Sequence, residues 1–171
     1  MPKPVISIIV AMAENRVIGN KNGIPWHIKE DLLRFKNLTL GKTTIVGRTT
    51  YDLLKNAYAS RGKPMPDRRN VIITNNPAYK VDEANCYIVH SIAEAIKEAK
   101  EIEPEEIFIA GGASIFNQSL DYADRLFLTV VHKEIAGDAF FPEYEKWFKT
   151  IVSRIDSHDE NFYYTFWELT P

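Results

Sequence analysis

Apolar and polar positions fall along this chain in blocks that predict an α/β fold. Val5-Ile-Ser-Ile-Ile-Val-Ala11 is an apolar run rich in β-branched residues, which predicts a strand buried on both faces and central in a sheet. Residues 14–25 then carry Asn15, Gly19, Asn20, Asn22, Gly23 and Pro25, a density of turn formers that predicts a long loop without a regular element. Across residues 29–38, Leu32, Leu33, Phe35 and Leu38 recur at helical spacing, with Glu30 and Asp31 in the first turn where the helix dipole favours acids. A helix is expected there, ending before Gly41.

Strand–turn–helix units come next. Residues 43–46 predict a strand that runs through Gly47 into a helix starting near Thr49, and residues 71–74 predict another strand. Residues 87–89 read as a further strand, and Ser91-Ile-Ala-Glu94 has the S-x-x-E spacing of a capping box that opens a helix over 92–100. Residues 107–110 lead through Gly111-Gly112 into a helix over 114–120, followed by a strand over 126–131. Residues 148–155 and 161–169 read as an antiparallel pair at the end of the sheet. The alternation predicts a mainly parallel sheet with helices on both faces.

Composition narrows the class. A chain of 171 residues is the size of one domain, with 45% hydrophobic and 26% charged residues, which argues against disorder and fibrous repeats. The net charge of −2 comes from intermixed signs, so no basic stripe exists for nucleic acid and no polybasic anchor for a membrane. Cys86 is the single cysteine, which excludes an intrachain disulfide. With no cleavable signal or apolar run near 18 residues, a reducing cytoplasm is expected. His27, His90, His132 and His158 are scattered, with no metal-ligand spacing, so no metal is expected.

Candidate chemistry lies where strands end and helices begin, because ligands of open α/β sheets sit at the carboxyl ends of the strands. In Val46-Gly47-Arg48-Thr49-Thr50 a glycine admits close backbone approach, and an arginine and two hydroxyls suit a phosphate; a plain turn with a solvated Arg48 is the competing reading. Ala110-Gly111-Gly112-Ala113-Ser114 is a second glycine turn, fit either for a pyrophosphate or for close helix–strand packing. Asp31 stands at a helix entrance beside Leu32, with Phe35 at i+4; on these residues alone, a dipole-stabilising acid explains it better than a functional one.

Taken in order, Arg16-Val-Ile-Gly19, Gly23-Ile-Pro-Trp26, Asp31-Leu32 with Phe35, Val46-Gly-Arg48, Pro66-Asp-Arg-Arg-Asn70, Gly111-Gly112 and Phe141-Pro142 resemble dihydrofolate reductase across nearly the whole chain. The resemblance implies a single domain over 1–171, with an adenosine-binding part near 42–100. It also implies an eight-stranded, mostly parallel sheet with an antiparallel C-terminal strand. It implies NADPH as cofactor and hydride transfer to C6 of 7,8-dihydrofolate with protonation at N5. Antifolates such as trimethoprim or methotrexate would be inhibitors, and a monomer is expected.

Residue by residue, the resemblance places Asp31, Trp26 and Ile24 at the catalytic centre. Asp31 would accept two hydrogen bonds from the pterin, with a pKa raised by burial among Leu32, Phe35 and Ile9. The N5 proton would arrive by way of water, with Asp31 as orienting partner as much as donor. Ile9, Val10, Ala11, Leu32, Phe35, Thr50, Leu54, Met65, Ala110 and Thr129 would line the substrate, and Arg68 would pair with the carboxylate of its glutamate tail. Ala11, Ile18, Gly19, Asn22, Gly47, Arg48, Thr49, Thr50, Thr74, Asn75, Gly111, Gly112, Ala113, Ser114, Ile115 and Phe116 would hold the cofactor, with Arg48 on the 2′-phosphate.

The resemblance further implies a cis Gly111–Gly112 peptide and a mobile lid over 14–24 steadied by Gly137-Asp138. Ala110, Ser114 and a long connection over 53–63 depart from common family patterns. Two other readings compete: a reductase of the same fold acting on a pyrimidine of riboflavin synthesis, and a nucleotide-binding module without turnover. Asp31, Leu32, Phe35 and Arg68 argue against the first, and the presence of both Asp31 and Trp26 against the second.

Overall fold

The computed structural model describes residues 3–21 and 23–171. β1 (Val5–Ala13) lies inside the sheet, where an apolar run buried on both faces has to be. It pairs in parallel with β6 (Glu106–Ile109) on one side and β7 (Arg125–Val131) on the other. β3 (Thr43–Gly47), β4 (Arg69–Ile73) and β5 (Cys86–Val89) extend the parallel part beyond β6. β10 (Tyr163–Thr170) and β9 (Thr150–His158) extend it beyond β7, in the order β5-β4-β3-β6-β1-β7-β10-β9. β10 runs antiparallel to both its neighbours, as expected for the C-terminal strand.

Alternation along the strands sorts the helices onto two faces. Ile6, Ile8, Val10 and Met12 share a core with Ala95, Ile96 and Ala99 of α3 (Ile92–Ile102) and with Ile115 and Phe116 of α4 (Ala113–Ser119). Ile9 faces the other way, onto Phe108, Phe127 and the half-buried Phe35 and Leu38 of α1 (Lys29–Thr39). Tyr51 of α2 (Arg48–Ser60) packs on that same face against Val46 and Ile72. At the start of α3, Ser91 Oγ accepts from the Glu94 amide at 3.1 Å, and the Glu94 carboxylate accepts from the amide of His90 at 2.9 Å. The reciprocal cap is therefore real, although the carboxylate reaches one residue further back than the standard box.

Residues 14–25 are not all loop. β2 (Val17–Gly19) pairs antiparallel with β8 (Ala139–Phe140), and Asn20 bridges Gly23. The turn formers flank a strand too short to show alternation, and its partner lies 120 residues away, beyond the reach of local pattern. Asn22, expected at the cofactor, lies outside the described residues. The connection over 53–63 is likewise helical as far as Ser60, which absorbs its extra length.

Candidate functional site

α1 brings two adjacent acids to the sheet and gives them opposite environments. Glu30 points to the C-terminal hairpin, where Ser157 Oγ and Tyr164 OH donate to its carboxylate at 2.6 and 2.7 Å and hold its pKa below the usual range. Asp31 turns onto the sheet, where burial pushes its carboxyl pKa up against the opposing pull of one hydrogen bond, from Thr129 Oγ1 at 2.7 Å, and of nearby Arg34. Thr129 reaches it because β7 places Phe127 and Thr129 on the face that α1 covers. The dipole explanation of a first-turn acid suits Glu30 as well as Asp31, so the difference between them is tertiary.

Arg68 is buried, at 2% exposure, although no salt bridge among the described residues accounts for it. Its Nε donates to Thr39 Oγ1 at 2.8 Å, and that hydroxyl donates onward to the Phe35 carbonyl at 2.8 Å. The guanidinium lies 5.0 Å from the centroid of the Phe35 ring, while Nη2 is buried without a partner. An oriented, desolvated cation with a free donor is set to take an anion, and a carboxylate suits the fork of its guanidinium.

At the carboxyl ends of β3, β4, β5 and β6 the structure has a cleft of 570 Å³. Gly47, Arg48, Thr49, Thr50, Thr74, Asn75, Gly112, Ala113, Ser114 and Ile115 line it, all of them expected at the cofactor. The Gly111–Gly112 peptide is cis, and the Gly47 amide donates to the Gly111 carbonyl at 2.8 Å, which joins the two turns. A Cβ on Gly112 would stand 3.1 Å from Thr50 Oγ1, so a side chain there would crowd the cradle. Arg48 reaches over Tyr79, 5.6 Å from its ring centroid, and Tyr79 OH donates to Asp52 at 2.8 Å.

Other expected residues are spread more widely. Ile9, Phe35 and Ala110 share one cluster, and Trp26, at 8% exposure, packs with Val17, Ile28, Tyr164 and the half-buried Ala11. Leu32 and Ile24 are exposed, and Leu54 is half-buried on α2. Val10 and Phe116 point into the α3 core, and Ile18 packs against it, so none of the three offers its side chain to the cleft. Met65 joins Val46, Tyr51 and Ile72 rather than the Phe35 cluster. Gly19 accepts from the Asp138 amide at 3.0 Å, and the Lys21 amide donates to the Asp138 carboxylate at 3.1 Å, so the 14–24 segment is tied to Asp138.

Ile73, Asn76, His90, Ser91 and Gln118 also line the cleft, and no ligand-binding motif in the sequence marks them. His90 Nδ1 donates to the Thr74 carbonyl at 2.8 Å, leaving Nε2 unused by that bond. The rule that exposed Gly47 and Gly112 applies equally to His90 and Ser91, which follow β5, but they lack a glycine to mark them. Thr39, beneath Arg68, gave no sequence signal.

Fold and site define an α/β protein that carries a ligand cleft across the carboxyl ends of a parallel sheet, with a desolvated acid on the flanking helix. The chain belongs to the dihydrofolate reductase family, whose model matches residues 5–170. It is 37% identical over 158 residues to dihydrofolate reductase of Bacillus subtilis, covering 91% of this chain and 87% of that protein. It is 40% identical over 166 residues to the enzyme of Buchnera aphidicola, covering 94% of each. A solved structure of Enterococcus faecalis dihydrofolate reductase complexed with NADP(H) and RAB-propyl superposes with a TM-score of 0.82 at 28% identity, covering 97% of this chain and 95% of that one.

Proposed function

We propose that the protein reduces 7,8-dihydrofolate to 5,6,7,8-tetrahydrofolate with NADPH. The observation that carries this reading is the desolvated Asp31 carboxyl, oriented by Thr129 on the helix that also presents Phe35 to the Arg68 guanidinium. An acid that orients a heteroaromatic ring and a cation that takes a tail carboxylate are the two contacts this substrate requires.

The cleft residues fit NADPH. Gly47 and Gly112 leave the cradle free of side chains, Arg48 supplies a planar cation for a phosphate, and α2 and α3 turn their N-termini towards it. Bound there, NADPH supplies a hydride from C4 of its nicotinamide to C6 of the pterin.

The chain's part is to orient the pterin, exclude water and manage one proton. Asp31 accepts from the 2-amino group and the adjacent ring nitrogen, fixing the ring; Thr129 fixes Asp31 in turn. Burial raises its pKa, which makes it a better partner for proton delivery than an exposed acid, and the proton reaches N5 through water. Trp26 closes one side with an apolar wall, and the segment around β2, tied to Asp138, covers the junction. Ile24 extends that cover. Arg68 fixes the far end of the substrate over Phe35.

The same contacts would hold a diaminopyrimidine or pteridine antifolate such as trimethoprim or methotrexate, whose cationic ring complements Asp31. We also read the protein as a monomer of one domain in a reducing cytoplasm, and the free Cys86 supports the compartment. Incubation with NADPH and dihydrofolate, followed by mass spectrometry, tests the reading: tetrahydrofolate accumulates in step with NADPH oxidation, and absence of product ends it.

A further inference from the structure

Arg34 lies one turn after Asp31 on α1, so both side chains fall on the same side of the helix. Its guanidinium stands 4.6 Å from the Phe166 ring centroid and 5.5 Å from that of Phe127. Phe166 on β10 is the register partner of Thr129 on β7, the residue that holds Asp31, and Phe127 is two residues before Thr129. Arg34, Asp31, Thr129 and the two rings therefore occupy one patch of the sheet.

The cation in that patch is unusually placed. Among the described residues, no carboxylate lies within ion-pair distance of Arg34; Glu168, the acid beyond it, is instead held by Arg125 at 3.4 Å. Two ring faces bind the guanidinium in place of a counterion. A contact ion pair with Asp31 would occupy the carboxylate oxygens that the pterin needs. A cation anchored on rings supplies positive potential without blocking them.

We propose that Arg34 is a positioning residue for the reaction, a ring-anchored cation that sets the pH at which Asp31 takes up its proton. The proposal rests on the reading of Asp31 given above. Glu30, on the same helix, opposes Arg34, but Ser157 and Tyr164 occupy its carboxylate. From β10, Glu168 acts on Arg34 itself, favouring its charged form, and Arg125 on β7 offsets Glu168. From β9, His158 acts on Glu30. Arg34 is thus the cation whose charge favours ionised Asp31.

The test reads two quantities in the intact 171-residue chain. The Asp31 carboxyl is titrated by carbon-13 NMR in the free protein, and the hydride-transfer rate is followed against pH with NADPH and dihydrofolate. Arg34→Met moves both midpoints to higher pH, and Arg34→Lys leaves them near the parent's. A purely structural Arg34 would change stability and leave the midpoints in place. Unmoved midpoints in Arg34→Met, or a shift in Arg34→Lys as large as in Arg34→Met, overturn the proposal. Should Arg34→Met fail to fold, Arg34→Gln takes its place, and unmoved midpoints there overturn the proposal equally. The NMR titration needs no turnover, so loss of the reductase reading would appear separately, as a parent protein that titrates but does not oxidise NADPH.

Discussion

Thr129 Oγ1 donates to Asp31 Oδ1 at 2.7 Å, and this one bond ties the helix after the first strand to the seventh strand. It lowers the Asp31 pKa, yet burial outweighs it and the net shift is upward. A carboxyl with a raised folded-state pKa destabilises the fold where it is ionised. The penalty is absent below the unfolded pKa, develops as pH rises past it, and is complete above the folded pKa. Asp31→Asn, which keeps the size and an acceptor for Thr129, should therefore melt at a higher temperature than the parent at pH 8, with the gap closing as pH falls towards 4. Thermal denaturation across that range checks it.

Arg68 keeps one buried donor free. Arg68→Leu should raise KM for dihydrofolate by roughly 10- to 150-fold, the equivalent of about 1.5–3 kcal/mol for a charge-assisted hydrogen bond. A dihydropterin without the glutamate tail should be reduced equally well by both proteins. Steady-state kinetics with the two substrates separates loss of a tail contact from general damage.

Arg48 lines the cleft beside Thr49 and Thr50 and is itself exposed. Arg48→Leu should cut the preference for NADPH over NADH by on the order of 10- to 100-fold, chiefly through weaker NADPH binding. Calorimetric titration with each nucleotide checks it; an unchanged preference would remove Arg48 from the 2′-phosphate.

Gly137 packs so tightly on β2 that a Cβ there would stand 2.3 Å from Val17 Cγ1 and 2.5 Å from the Gly19 carbonyl oxygen. Gly137→Ala should cost about 1–3 kcal/mol, because one partner is backbone and cannot rotate away. Amide exchange at Val17–Gly19 should accelerate with it. Chemical denaturation and hydrogen exchange on the variant measure both effects.

Strong local patterns in the sequence carried much of the fold. The apolar run of β1, the S-x-x-E cap of α3 and the repeated strand–turn–helix units each mark their own element, because the forces involved act within a few residues. β2 escaped because its partner is β8, far along the chain. The site divides similarly: Gly47, Arg48 and Gly112 are visible as turns, whereas Glu30 and Asp31 look alike until Tyr164 and Thr129 part them. Arg34 reads as an ordinary helix-surface charge, since the two rings that hold it come from β7 and β10.

On the proposed function Asp31 orients the pterin and supports its protonation, and stopped-flow measurement of hydride transfer reads that role. NADPH absorbance is followed after mixing the binary complex with dihydrofolate, for the parent and for Asp31→Asn. The parent should transfer hydride in a single fast phase, and the variant should be slower by about 100-fold or more near neutral pH. An Asp31→Asn protein that transfers hydride at the parent's rate would remove that role from Asp31.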